Sequence, residues 1–286
     1  MKLISFDHHG SRFGAVVGES RVVDLTDRFG SLHATLQRGR MEDALRAARD
    51  ATPTLDLADL TLASTLPEAE KYFCIGVNYR GRNAEYKDDS DAPKYPSVFM
   101  RSRESFTGHG QPLIRPPESD LLDYEGEIVI VIGKEGRRIP RENAREHIAG
   151  LTLMNEGTLR DWVRHAKFNV TQGKNFERSG SIGPWLVPLS DEMDLADLDL
   201  KTTVNGELRQ DGNTSSMAFP IDFIVSYLST FARLRPGDVI ATGTPNGAGA
   251  RFDPPKYLVP GDVVEVSCPA VGTLRNTVAD EEVQGR

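Results

Sequence analysis

The sequence predicts an α+β fold in which β-strands dominate and form a roll. Two Pro-Gly turns, Pro236-Gly237 and Pro260-Gly261, each lead into an apolar run of strand type, and the glycine of such a turn takes a positive φ. Asn205-Gly206 lies between two alternating segments, which is the strongest short signal for a β-hairpin. The clearest helix follows Pro220, where apolar residues recur at helical spacing.

Composition and charge exclude two classes of partner. The 286 residues give a formal net charge of -8 without a concentrated basic face, so we expect no nucleic-acid partner. No run approaches the ~20 apolar residues of a membrane span, and the first residues lack the apolar core of a signal peptide. The only cysteines, Cys74 and Cys268, lie far apart in apolar runs, which favours buried free thiols in a reducing compartment. We therefore expect a cytoplasmic protein.

Residues 1–66 are predicted to form a small N-terminal α/β domain, and residues 67–286 a catalytic domain. Three short strands and one amphipathic helix make up the first unit; the strands span Lys2–Phe6, Phe13–Val17 and Arg21–Leu25, and the helix uses Leu32, Leu36, Leu45 and Ala48. The pair His8-His9 has no carboxylate or cysteine spaced to join it, so we interpret it as a solvated turn. Leu66-Pro67-Glu68 is the predicted linker.

The catalytic domain begins with a predicted strand over Lys71–Val77 and a short helix over Asn78–Lys87. The charged, proline-bearing segment 88–96 is predicted to be a surface loop. It is either a lid beside a site or an ordinary solvated connection. A strand over Ser97–Met100 then delivers Arg101.

Two acidic residues stand at the start of a strongly apolar strand. Glu125 and Glu127 lead into the run Ile128–Ile132, and because side chains alternate along a strand, both glutamates share the face of Val129 and Val131. Apolar residues on both faces predict a strand that is buried on two sides. Burying two like charges costs several kcal/mol unless a metal or a basic group compensates. The pair is therefore either a metal site or, on this stretch alone, part of a solvated turn before the strand.

A third acid, Glu156, ends the next apolar strand. That strand follows a helix predicted from about Arg141 to His147. A further helix over Thr158–Lys167 is predicted to carry Arg160, and Lys174 is predicted to lie in a loop. Two buried strands thus each bring acidic residues to one end.

The segment Thr242–Ala250 is a glycine-rich loop that follows a strand. It lacks the Lys-Ser/Thr ending and the following helix of a phosphate-binding loop. Two interpretations stay open. Either its backbone amides and the Thr244 hydroxyl approach a small anionic ligand, or it is a wide structural turn.

The three acids define a candidate chemistry. No histidine or cysteine is spaced to join Glu125, Glu127 and Glu156, and ligation by oxygen alone favours Mg²⁺ or Mn²⁺ over zinc. Three carboxylates leave octahedral positions for water and for a chelating substrate, such as a 2-oxo acid or its enol. The metal would then act as a Lewis acid that stabilises an enolate.

Six motifs, taken in order, resemble the fumarylacetoacetate hydrolase superfamily from about Lys71 to the end of the chain. They are Tyr124-Glu125-Gly126-Glu127, Asn155-Glu156-Gly157-Thr158-Leu159-Arg160-Asp161, Gly173-Lys174-Asn175-Phe176 before Gly183-Pro184-Trp185, Val204-Asn205-Gly206-Glu207 with Arg209-Gln210, Pro236-Gly237-Asp238-Val239-Ile240, and Thr242-Gly243-Thr244-Pro245. The resemblance implies a mixed β-roll catalytic domain, a homodimer, and a Mg²⁺ or Mn²⁺ ion held by Glu125, Glu127 and Glu156.

The same resemblance assigns further residues. It implies that Lys174 neutralises developing charge. The candidate catalytic residues that it implies are Glu85, Lys174 and Arg82. The candidate substrate-binding residues are Tyr79, Arg101, Arg160, Gln210 and Thr244.

The sequence departs from the family pattern at several site positions. Hydrolytic members of the family have a histidine where this chain has Arg82, and a guanidinium cannot serve as a base near neutral pH. Glu85 is retained and could take the proton, although a carboxylate is a weaker base than an imidazole unless burial raises its pKa. Arg101 replaces the usual lysine, Glu156 replaces the usual aspartate, and Val163 stands where some members have glutamine.

Three functions follow as hypotheses. The first is a divalent-metal-dependent hydrolase that cleaves a C–C bond in a small 2,4-dioxo acid of the acylpyruvate or fumarylpyruvate type, in the catabolism of aromatic compounds. The second is a decarboxylase or isomerase of a hydroxymuconate-type 2-oxo dicarboxylate, which Arg82 and Arg101 would suit by binding a second carboxylate. The third is a non-catalytic metabolite-binding protein. In the first two, the partner is a small 2-oxo acid.

Overall fold

The computed structural model describes residues 1–80, 94–167 and 169–282. The strands within these ranges, in chain order, are β1 (Lys2–Asp7), β2 (Ser11–Val17), β3 (Arg21–Asp24), β4 (Leu55–Asp56), β5 (Thr61–Leu62), β6 (Tyr72–Gly76), β7 (Ser97–Arg101), β8 (Phe106–Thr107), β9 (Leu113–Arg115), β10 (Leu122–Asp123), β11 (Gly126–Ile132), β12 (Ile148–Asn155), β13 (Thr158–Leu159), β14 (Gly180–Pro188), β15 (Asp199–Val204), β16 (Glu207–Asn213), β17 (Val239–Ala241), β18 (Val263–Cys268) and β19 (Gly272–Asp280). The α-helices are α1 (Thr26–Phe29), α2 (Leu32–Gln37), α3 (Met41–Asp50), α4 (Val170–Lys174) and α5 (Ile221–Phe231), and the helix predicted over Arg141–His147 forms as a 3₁₀ helix.

Most strands belong to two mixed sheets. The larger sheet has twelve strands and runs β4-β3-β2-β1-β14-β12-β11-β17-β6-β7, with β5 beside β1 and β8 beside β14. The smaller sheet runs β16-β15-β18-β19-β9, and β10 pairs with β13 alone. Most pairs are antiparallel, while β17 and β6 are parallel. The prediction of a β-rich α+β fold is confirmed.

Strand β11 lies in the interior of the larger sheet, between β12 and β17. Ile128, Ile130 and Ile132 pack into a core cluster that includes residues of α5 and of the smaller sheet. Val129 and Val131 pack on the opposite face, with residues of the N-terminal strands and helices. Every residue of β11 is buried. The predicted burial of this strand on both faces is therefore confirmed.

The N-terminal segment joins the same large sheet. Strand β1 pairs with β14 through Leu3 and Leu186, and the three predicted strands are confirmed. The single predicted helix is wrong, because the chain turns at Gly39, with a φ of +64°, and forms α2 and α3 instead. Leu66 of the predicted linker is buried in the second core cluster. A domain boundary after residue 66 stays a prediction.

The predicted turns are confirmed. Asn205 and Gly206 both have positive φ values and connect β15 to β16. Gly237 and Gly261 each have a φ of +92°. In both Pro-Gly turns the next aspartate closes the turn by accepting a backbone hydrogen bond, as Asp238 does from the Arg235 amide at 2.7 Å.

The helix predicted over Thr158–Lys167 is wrong. Thr158 and Leu159 form β13, which pairs with β10. The Asp161 carboxylate then accepts hydrogen bonds from Ser119 Oγ at 2.7 Å and from the Trp162 amide at 3.1 Å. An aspartate that bonds a neighbouring backbone amide favours turns over helix interiors, so only turns follow.

Other predictions have mixed outcomes. Cys74 and Cys268 are free and buried, as expected. No helix in the described part of the chain is long and apolar enough to cross a membrane. Residues 81–93, which include most of the predicted helix after Asn78 and most of the predicted loop, lie outside the described residues.

Gly157→Ala is expected to lower the free energy of unfolding by about 3 kcal/mol. A Cβ at this position would lie 1.7 Å from the Ser179 carbonyl oxygen, so the backbone would have to move. Urea unfolding followed by circular dichroism measures the loss. Gly76→Ala is the matched control, because its Cβ would meet Ser97 at an ordinary 3.5 Å, and it should cost less than about 1 kcal/mol. Equal losses in the two variants would contradict the steric account.

Candidate functional site

Three buried glutamates meet where β11 begins and β12 ends. Glu125 precedes β11, Glu127 is its second residue, and Glu156 follows β12 directly. The antiparallel register pairs Gly126 with Asn155, and the Glu156 amide donates to the Glu125 carbonyl at 2.7 Å. One carboxylate oxygen from each glutamate lies within 4.8 Å of the others. Their exposures are 4%, 1% and 2%, so the interpretation as a solvated turn is wrong.

Lys174 compensates part of this negative charge. Its Nζ donates to Glu125 Oε2 and, at 2.9 Å, to Glu156 Oε2. Burial lowers the pKa of this ammonium, but the two carboxylates outweigh burial and leave the pKa above its usual value. Lys174 is the last residue of α4, so its predicted place in a loop is wrong. The short helix holds a permanent positive charge against two of the three glutamates.

Arg160 contacts the cluster from the other side. Its Nη2 donates to Glu125 Oε1 at 2.8 Å, and its Nε donates to Asp123 Oδ2 at 2.7 Å. Asp123 is fully buried and also accepts a hydrogen bond from the Gly249 amide at 2.7 Å. Thr158 Oγ1 lies 3.2 Å from Glu125 Oε2 and donates to it. These contacts fix the Glu125 side chain and attach the glycine-rich loop to the site.

The start of the glycine-rich loop contacts Glu127. The Gly243 amide donates to Glu127 Oε2 at 2.8 Å. Gly243 has a φ of +101°, and a Cβ there would lie 2.6 Å from Asn78 Cβ, so the position requires glycine. Thr244 Oγ1 donates to the Gly126 carbonyl at 2.8 Å and accepts from Gln210 Nε2 at 2.8 Å. The polar groups of Thr244 and Gln210 therefore make hydrogen bonds within the protein at the edge of the site.

Two other predicted substrate-binding residues differ in their surroundings. Tyr79 is 4% exposed, and its hydroxyl has no hydrogen-bond partner among the described residues. Burial, with the nearby charge of Glu127, raises the pKa of this phenol, so Tyr79 is a neutral donor. Arg101 is also buried, but it donates to the Gly157 carbonyl and to Ser105 and Ser179.

Residues Arg82 and Glu85 lie outside the described residues. Val163 packs against the segment that bears Lys174, because a Cβ on Gly173 would lie 2.7 Å from Val163 Cγ2. All six histidines of the chain are described. None of them joins the three glutamates in the group of candidate ligands. Two are engaged elsewhere, since His147 bonds the Lys134 carbonyl and His109 accepts from the Arg275 amide.

The cluster fits a divalent cation. Glu156 Oε1 is buried and has no hydrogen-bond partner among the described residues. Burial, followed by the charges of Glu156 and Glu125, raises the pKa of Glu127 well above its usual range. A set of three carboxylates is the donor chemistry of Mg²⁺ and Mn²⁺.

Sequence reasoning missed three contributors to this site. Asp123 and Thr158 flank the glutamates in the chain, and Gly243 supplies a backbone amide to Glu127. The aspartate shortly before the buried strand β11 is a usable signal for Asp123, because a charge at the entrance to a core requires a partner. The Gly243 contact depends on pairing between β11 and β17, which no local pattern reveals.

Comparisons with known proteins agree with this geometry. Residues 71–279 match the family model described as Fumarylacetoacetate (FAA) hydrolase C-terminal. The chain is 41% identical over 226 residues to the oxaloacetate tautomerase YisK of Bacillus subtilis, covering 78% of this chain and 74% of that protein. It is 39% identical over 210 residues to the 4-hydroxyphenylacetate degradation bifunctional isomerase/decarboxylase of Salmonella dublin, covering 73% of this chain and 47% of that protein.

A solved structure extends the likeness over nearly the whole chain. Maleylpyruvate hydrolase from Sphingobium sp. SYK-6, in complex with manganese(II) ion and pyruvate, matches with a TM-score of 0.80 and 26% sequence identity, covering 99% of this chain and 100% of that one. The family model and the relatives confirm the resemblance that the six motifs predicted: the chain belongs to the fumarylacetoacetate hydrolase family.

Proposed function

We propose that this protein is a divalent-metal-dependent enzyme that interconverts the enol and keto forms of a small 2-oxo dicarboxylic acid of the oxaloacetate class. One observation carries the proposal: three buried glutamates and a buried lysine converge, and none of the six histidines joins them. A keto–enol conversion moves one proton between carbon and oxygen and consumes no water. It therefore needs charge stabilisation more than it needs an imidazole that activates water.

Glu125, Glu127 and Glu156 would hold Mg²⁺ or Mn²⁺ in this enzyme. When bound, the ion supplies Lewis acidity that stabilises an enolate. The Gly243 amide and Arg160 donate hydrogen bonds to Glu127 and Glu125. These bonds would orient the two carboxylates before a cation binds.

Lys174 would act as a fixed positive charge. Its raised pKa keeps the ammonium protonated near neutral pH, which prevents it from serving as a base. Because both of its carboxylate partners belong to the cluster, the ammonium would lie beside a substrate oxygen that binds at the cluster and becomes negative. A preorganised cation in a buried site stabilises such charge strongly.

Two residues would handle the proton and the substrate. The Tyr79 phenol, neutral and without a partner among the described residues, would donate a hydrogen bond from Oη to a substrate oxygen. We propose Glu85 as the group that removes the proton from carbon, since Arg82 cannot. The predicted homodimer and the predicted small 2-oxo acid partner are retained as proposals.

Hydrolysis of a C–C bond is the second candidate. The likeness to maleylpyruvate hydrolase over 99% of this chain favours it. Hydrolysis requires an activated water, however, and the motif resemblance implies that Arg82 stands at the position of the family's histidine. Decarboxylation, as in the bifunctional isomerase/decarboxylase, would use the same enolate stabilisation without water.

A substrate panel separates the three reactions. With Mg²⁺ present, the protein is expected to accelerate the decay of the enol absorbance of oxaloacetate more than the turnover of acylpyruvates or hydroxymuconates, because tautomerisation needs only a proton shift. Nuclear magnetic resonance identifies the products, which should be the keto acid without two acid fragments or carbon dioxide. Protein treated with a chelator is the control. Faster cleavage of an acylpyruvate into two acids would instead establish the hydrolase.

Glu127→Gln is expected to reduce metal-dependent turnover by at least about 100-fold, since it removes one carboxylate ligand. The same change takes one like charge away from Glu125 and Glu156, so the stability of the metal-free protein should not fall. Glu146→Gln, at an exposed ion pair with Lys134, is the matched control and should retain full activity. Wild-type activity in Glu127→Gln would rule out the assigned site.

Mn²⁺ or Mg²⁺ is expected to raise the melting temperature of the protein. Ligand at 100 times its Kd adds about 2.7 kcal/mol to the stability of the native state, which corresponds to roughly 4–5 °C for a chain of this size. Differential scanning fluorimetry across a titration of each ion measures the shift, with potassium chloride of equal ionic strength as the control. An equal shift in Glu127→Gln would place the binding elsewhere.

A further inference from the structure

We propose that Arg101 is a positioning residue that holds Glu156 in place for metal binding, and that it does not contact the substrate. Arg101 ends β7 and is only 4% exposed. This inference deepens the proposed function and rests on it, because it concerns the same carboxylate cluster. It also replaces the expectation from the sequence that Arg101 binds a substrate carboxylate.

The guanidinium is already occupied by partners within the protein. Nε donates to Ser105 Oγ at 3.1 Å, Nη1 donates to the Gly157 carbonyl at 3.0 Å, and Nη2 donates to Ser179 Oγ at 3.2 Å and to the Ser105 carbonyl at 3.3 Å. The Phe106 ring covers one face, with its centroid 4.5 Å from the guanidinium carbon. Every nitrogen therefore has an acceptor before any substrate binds.

One of these acceptors belongs to the turn that bears Glu156. Gly157 follows Glu156 directly, and its carbonyl is the one that Arg101 binds. On the other side of the turn, the Glu156 amide donates to the Glu125 carbonyl at 2.7 Å. A Cβ on Gly157 would lie 1.7 Å from the Ser179 carbonyl oxygen, so the turn packs tightly against the segment that Arg101 also binds. Arg101 thus connects the segments that contain Ser105, Gly157 and Ser179 beside the proposed metal ligand Glu156.

Charge supports the same arrangement. Burial lowers the pKa of Arg101, and Glu156 is the carboxylate that most strongly opposes this change. The guanidinium thus brings positive charge to the turn whose backbone it binds through the Gly157 carbonyl.

A lysine at this position would keep the charge but lose the geometry. A guanidinium presents donors in a rigid fork, whereas an ammonium is a single point charge on a flexible chain. It could not reach Ser105, Gly157 and Ser179 at once. Partners that orient metal ligands typically change metal affinity 10–100-fold when they are removed.

Arg101→Lys is expected to weaken Mn²⁺ binding by roughly 10–100-fold, measured by isothermal titration calorimetry without substrate. Arg101→Met should weaken it at least as much, and Ser179→Ala, which removes one acceptor and leaves the charge, should weaken it several-fold. Arg103→Met is the matched control, because Arg103 is exposed and forms an ion pair with its neighbour Glu104. It should bind Mn²⁺ like the wild type. Circular dichroism checks that each variant is folded, and Ser179→Ala supplies the decisive reading if the Arg101 variants do not fold.

The outcomes separate this inference from the proposed function. Folded Arg101→Lys and Ser179→Ala proteins that bind Mn²⁺ as tightly as the wild type would overturn the positioning role, even if their melting temperatures fall. If Arg101→Lys instead raised KM for oxaloacetate with Mn²⁺ affinity unchanged, Arg101 would be a substrate-binding residue. If the wild type itself bound no Mn²⁺, the proposed function would fail, and the role of Arg101 with it.

Discussion

The structure depends on one electrostatic constraint, the burial of three carboxylates at a single point. Like charges in a low-dielectric interior repel strongly, and each also loses its hydration. Lys174, Arg160 and the Gly243 amide offset part of this cost by donating hydrogen bonds to the carboxylates. Burial and the charges of Glu156 and Glu125 still raise the pKa of Glu127. Three carboxylates gathered in this way match the donor chemistry that small, hard cations prefer.

Strand register converts this constraint into geometry. Glu125 and Glu156 meet because β11 and β12 pair with Gly126 opposite Asn155. Since side chains alternate, a slip of one residue would turn every core side chain of β11 to the wrong face, so the apolar residues of the strand specify the site as well as the core. The register of β11 therefore sets both the packing of its apolar side chains and the approach of Glu125 to Glu156.

The sequence allowed prediction of what is local. Apolar runs, the Asn205-Gly206 turn and the Pro-Gly turns predicted most strands, and the acids at their ends predicted the cluster. Predictions failed where distant contacts decide: Thr158 joins β13 rather than a helix because β10 lies beside it. Likewise the role of Arg101 depends on Gly157 and Ser179, which are remote in the chain. The resemblance of the motifs identified residues that lie near one another at the site. It did not show which of their polar groups are already hydrogen-bonded within the protein.

The parallel pairing of β6 with β17 has a consequence for how the molecule is made. It pairs Phe73 with Ile240. Strand β6 can therefore form this pairing only after β17, which lies much later in the chain, has been synthesised. Pairings between such distant residues are slow to form, because the closure of a long loop precedes any gain from contact. The hydrogen bond from the Gly243 amide to Glu127 therefore forms only after this later segment has been synthesised and β17 has paired with β11. The surroundings of the three glutamates are thus complete only when segments far apart in the chain have come together.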